Sequence, residues 1–209
     1  MRLGLRQLVH RTWMLNYRFT TLRHAQMRKI GRDELRKLLE DALGQAMRSA
    51  NDAPDNQSKS AKFVECLTNK FRDYYSTDDL IVRVASKGNP REFLHDISIC
   101  QVEEISGPVN EAEIDRVVSV LWQIEVEMSD TGSEVMHDLN KLRAGAVDSD
   151  KMFVVSKSWS DTTNLTWLTE QVLGIAEHQT GRLFVAFIAH PADWGDSDAS
   201  VALLGYPYI

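Results

Sequence analysis

The stretch Gln123-Ile124-Glu125-Val126-Glu127-Met128 alternates polar and apolar residues. Side chains alternate across a β-strand, so Glu125 and Glu127 share one face with Gln123 while Ile124, Val126 and Met128 share the other. Strands disfavour glutamate, and neighbouring carboxylates repel unless water or a cation screens them. Two of them on one face make an oxygen-rich site for a hard divalent cation. A solvated sheet face is the plain alternative. Trp122 and the apolar run before it indicate a central strand, which favours the functional reading. Asp96 lies between Leu94 and Ile97 in another expected strand, 29 residues before Glu125. An acid among apolar residues needs a partner or a role, the plain alternative being a hydrogen-bonded acid at a strand start.

These residues resemble the motifs of the PD-(D/E)xK, or restriction-endonuclease-like, nuclease superfamily. Phe93-Leu94-His95-Asp96-Ile97-Ser98-Ile99 resembles the first motif, an Asp on one strand of a hairpin. Trp122 to Met128, followed by Asp138-Leu139-Asn140-Lys141-Leu142, resembles the second in a divergent form, where a Glu-x-Glu strand precedes an Asp-x-x-Lys-Leu helix. By the order of elements the likeness spans about residues 60–190. It implies an α/β fold with an αβββαβ core, and Mg²⁺- or Mn²⁺-assisted hydrolysis of nucleic acid, with DNA ahead of RNA. It also implies pairing into homodimers. Asp96 and Glu125 would be metal ligands, and Glu127 a third ligand or the base. Lys141, 14 residues beyond Glu127, would stabilise charge on the phosphate. Two positions depart from the pattern: His95 stands where Pro is common, and Glu127 stands where the triplet has Lys. The role of Lys141 therefore depends on its reaching the site from its helix. Glu65 is a weaker candidate ligand, because it lies roughly 200° around its helix from Phe63 and so faces solvent. His137 and Asp138 read as surface or supporting groups. Strand alternation points His95 away from Asp96 and out of the site.

The elements that must position these groups follow from periodicity. Leu35, Leu38, Leu39, Ala42, Leu43 and Ala46 mark a helix over 33–48, and Phe63, Leu67, Phe71 and Tyr74 mark a second, with Ser60 as a possible cap residue. Residues 80–85 and 92–102 read as strands joined by a turn at 86–90, with a further strand over 117–128 after a break at 107–113. A helix ending at Gly145, a strand over 151–157, a helix around 165–176 and strands over 182–189 and 201–207 complete the chain. A hairpin leading into β/α alternation gives a mixed central sheet flanked by helices. The expected division is a basic helical extension (1–50), a linker (51–60) and the nuclease-like domain (61–209).

Composition narrows the function classes. At 43% hydrophobic and 26% charged over 209 residues, the chain can bury one real core. No apolar run is long enough to span a bilayer. Cys66 and Cys100 form no metal-ligand pair and no disulfide framework, so a reducing, cytoplasmic setting fits. There is no Gly-rich phosphate loop, no zinc spacing and no Ser–His–acid order. Trp159, Trp167 and Trp194 are read as packing rather than base-stacking groups. Residues 1–40 carry about +7, and the remainder −13. The first 32 residues hold no acid. That head reads as an over-long start ahead of Met27, as a phosphate-attracting arm or as a presequence. The acidic remainder and the missing triplet lysine leave a second function class open: a catalytically inactive nuclease-like scaffold that binds a protein partner.

Overall fold

The computed structural model describes residues 29–50, 53, 55–76, 82–86, 94–106 and 114–206. The basic head up to residue 28, most of the turn expected at 86–90 and the break at 107–113 lie outside them. Residues Gly31–Ile209 form one compact unit.

Helix α1 (Arg32–Ser49) buries the six apolar residues expected from its periodicity. It packs on α2 (Asn56–Tyr75), and Arg32 Nη2 donates to the Leu203 carbonyl at 2.7 Å. Helix α2 starts inside the expected linker because Asp55, rather than Ser60, is its cap: the Asp55 carboxylate accepts from the Ser58 N–H at 2.7 Å.

Six strands follow among the described residues: β1 (Val82–Ser86), β2 (Ile97–Ile105), β3 (Ile114–Glu127), β4 (Asp150–Ser156), β5 (Leu183–Ile188) and β6 (Ala202–Tyr206). They form one mixed sheet in chain order, β1-β2-β3-β4-β5-β6. The first three pair antiparallel, β3-β4-β5 pair parallel, and β6 returns antiparallel. Helix α3 (Gly132–Ala144) links β3 to β4, and α4 (Thr162–Ala176) links β4 to β5. From α2 to β4 the order is αβββαβ, as the motif resemblance implies. Strands β4 and β5 are buried along their whole length, which explains why they read as continuous apolar runs rather than alternating ones.

Helices cover both faces of the sheet. On one, Trp122 packs against Phe71 of α2 and stacks on Phe184, and its indole N–H donates to the Tyr75 hydroxyl at 2.9 Å. On the other, Val135, Leu139 and Leu142 of α3 and Leu168, Val172 and Ile175 of α4 form a core with Phe153, Val155, Val185 and Phe187. Alternation along β3 turns Gln123, Glu125 and Glu127 toward α3. Two bulges in the β2–β3 pair fall at Ile99/Cys100 and Gln101/Val102, leaving Ile97 in register with Ile124 at the end where the acids lie. Among the described residues no helix is long and apolar enough to cross a membrane.

Candidate metal centre

Three elements bring carboxylates to one point. Glu125 comes from β3, Asp96 from the bend just before β2, and Asp138 from α3. Each offers an oxygen, and these oxygens all lie within 4.8 Å of one another. The Asp96 carboxylate is fixed by the Val126 N–H, which donates to Oδ2 at 3.0 Å. Lys141, one helical turn after Asp138, places its ammonium 2.7 Å from Asp138 and 3.1 Å from Glu125. The i, i+3 spacing sets both residues on the helix face that looks down on β3.

Burial governs the electrostatics. Glu125 is fully buried, and its carboxyl is pushed up to about 8, first by desolvation and then by the charge of Asp96. The Lys141 bond pulls in the other direction and is outweighed. Burial alone would lower the Lys141 ammonium, but its bonds to Asp138 and Glu125 hold it above the usual lysine range. Glu125 thus moves opposite to the usual acid of an ion pair, because desolvation and a neighbouring acid exceed one attraction. Burial also raises Glu127, and the nearby Asp138 adds to this.

The structure brings Asp96, Glu125 and Lys141 together and leaves two other candidates aside. Glu127 is turned to the Ser129 N–H, accepting at 2.6 Å, and stands next to the trio rather than in it. Glu65 lies on the exposed face of α2 and pairs with Lys62. Asp138, read from sequence as a supporting group, is buried within the trio, whereas His137 is exposed. Its signal was available: Val135, Asp138, Leu139 and Leu142 form one i, i+3, i+4, i+7 stripe, and Asp138 is its only polar member.

His95 also needs correcting. Strand β2 begins at Ile97, and residues 94–96 bend, so alternation does not apply there. His95 turns inward, with Nδ1 2.9 Å from Glu125 Oε1. Burial pushes its imidazole down to about 4.

No family model and no curated protein matches the chain. Among solved structures it is similar to NucC of E. coli MS115-1 in its cAAA-bound form, at 11% identity. The likeness covers 85% of this chain and 84% of that one, with a TM-score of 0.45. What the site can do follows from its own residues.

Its donor set is all oxygen, which suits a hard cation such as Mg²⁺ or Mn²⁺ and not a thiolate-seeking metal. The ammonium already seated against two of the acids shows that the cluster accommodates positive charge. A second lysine stands deeper on the same face. Lys151 is in register with Gln123 and is 2% exposed. Burial lowers its ammonium below the usual lysine range. The turn after α3 presses closely on this face, since a Cβ on Gly145 would overlap the Gln123 amide. Gly145→Ala is expected to cost about 1–3 kcal/mol of stability, the usual penalty of overpacking. Thermal or urea unfolding would read the loss, and an unchanged midpoint would show that the Gln123 side chain yields freely.

Proposed function

We propose that the chain is a divalent-metal-dependent nuclease in which Asp96, Glu125 and Asp138 hold Mg²⁺ or Mn²⁺ beside a nucleic-acid phosphodiester. The observation that carries this reading is the convergence of three carboxylates from three elements next to a lysine. The bound cation would supply Lewis-acid polarisation of the phosphate and activation of a water. The chain's own residues do the rest. Asp96, pinned by the Val126 N–H, offers a carboxylate oxygen to the site. Glu127, beside the three acids and raised by burial, would take a proton from the attacking water. Lys141 offsets negative charge as it builds on the phosphate. DNA ahead of RNA rests on the motif resemblance.

Calorimetric titration with Mg²⁺ and Mn²⁺, on wild type and Glu125→Ala, tests the reading. Plasmid and single-stranded substrates are incubated in parallel. Binding that disappears in the variant, together with metal-dependent nicking, is the expected result. A variant with full metal affinity would sink the site assignment. One observation favours the second reading, an inactive scaffold used for protein binding: the Lys141 ammonium already sits against two of the acids. Wild type that binds neither cation would select it.

A further inference from the structure

Glu125 is held from two sides, and only one of them belongs to the acid cluster. Lys141 takes Oε2, while Oε1 faces His95. We infer that His95 is a positioning residue that sets the orientation of Glu125, and that Gln123 and Ser149 fix His95 in turn. The inference rests on Glu125 as a metal ligand and deepens that reading.

The donors and acceptors along this chain follow from the placement of the Gln123 amide. Gln123 Nε2 lies 2.6 Å from His95 Nε2. An amide nitrogen only donates, so the histidine Nε2 accepts and its ring proton sits on Nδ1. That proton is donated to Glu125 Oε1 at 2.9 Å. The Ser149 hydroxyl lies 2.8 Å from Gln123 Oε1 and 2.9 Å from the Ala146 carbonyl and has one proton to give; donation to Oε1 is the arrangement that matches the amide nitrogen lying on His95. Ser149 belongs to the turn between α3 and β4, where the Val147 carbonyl accepts the Thr180 N–H at 2.9 Å. Ser149, Gln123, His95 and Glu125 are all buried, so water does not compete for these bonds. In a low-dielectric interior such a run is stiff, and each member orients the next. An imidazole that only filled space there would leave two polar nitrogens to satisfy; here both are used, and one of them on the carboxylate. Partners of this kind behind a ligand typically change metal affinity by about 10–100-fold.

Two variants separate positioning from packing. His95→Phe keeps the ring volume and loses the donor. His95→Asn gives up volume but keeps an N–H near the Nδ1 position. Mg²⁺ and Mn²⁺ affinity is expected to fall about 10–100-fold in His95→Phe and to recover most of the way in His95→Asn. A second readout needs no metal. In protein carrying ¹³C-labelled glutamate, the Glu125 carboxyl resonance is identified by its loss in Glu125→Gln. It should shift in His95→Phe and return toward its position in His95→Asn. Gln123→Leu, which leaves the ring in place and frees its Nε2, should move the same resonance and serves if His95→Phe does not fold. Equal impairment in the Phe and Asn variants, or a resonance that ignores the Phe and Leu changes, would overturn the inference. If wild type binds no metal, the metal-centre reading fails, and the carboxyl resonance still decides whether His95 holds Glu125.

Discussion

Replacing Lys141 with Met is expected to tighten Mg²⁺ and Mn²⁺ binding about tenfold or more while slowing phosphodiester cleavage. The ammonium lies against two of the three acids that would hold the metal, so it competes with any divalent cation entering there. Removing it leaves the same carboxylates with one fewer positive charge nearby, and even one such attraction amounts to several kcal/mol at protein-like dielectric. Without metal the variant should be weaker by about 2–3 kcal/mol, because buried carboxylates lose their counter-ion. Metal should restore that stability. Cleavage at saturating metal should fall by about 10²–10³, the usual cost of losing one preorganised donor to developing charge. Calorimetry, melts with and without metal and single-turnover cleavage read the three effects separately. Metal affinity that is unchanged or weaker would mean that Lys141 does not occupy the cation's place.

Lys151→Met should raise stability at neutral pH by about 1–3 kcal/mol. Burial takes the Lys151 ammonium out of water at a cost, and an apolar side chain of similar length removes that cost. The pH dependence has a definite sign. Burial holds the folded-state pKa below the ordinary 10.5. Between the depressed folded value and 10.5 the unfolded chain binds more protons than the folded one, so wild-type stability rises with pH across that window. Below the window the full cost is present, and above it the cost is gone. The Met variant should lack this alkaline rise, and its advantage should shrink as pH approaches 10.5. Urea unfolding at several pH values would show both. A variant less stable than wild type would reveal that the Lys151 ammonium is satisfied after all.

How much of this was legible in the sequence depended on how regular the backbone is. Alternation along 123–128 placed Glu125 and Glu127 on one face correctly, because β3 is a true strand there. It failed at His95 and Asp96, where the chain bends before β2 starts, so a residue expected to point away points in. The apolar stripe of α3 was legible, yet a single acid within it reads as an imperfection of the pattern until the sheet beneath is known. The order of elements was recovered because each carries its own periodicity. The choice between Glu127 and Asp138 as the third acid of the cluster depended on how α3 lies over β3, which no local pattern encodes.

Strand order that repeats chain order has a kinetic consequence. Every pairing in the sheet joins strands adjacent along the chain, so no strand has to be threaded between two that are already joined. Loop-closure entropy is then lost in small steps, a feature that goes with faster folding. The residues of the centre, from His95 to Ser149, fall within the single run from the bend before β2 to the start of β4. The centre can therefore take shape as that run consolidates, before β5 and β6 dock. New chain termini or an inserted tag in the exposed turn at Gly195–Asp196 would lie outside that run and leave its contacts untouched.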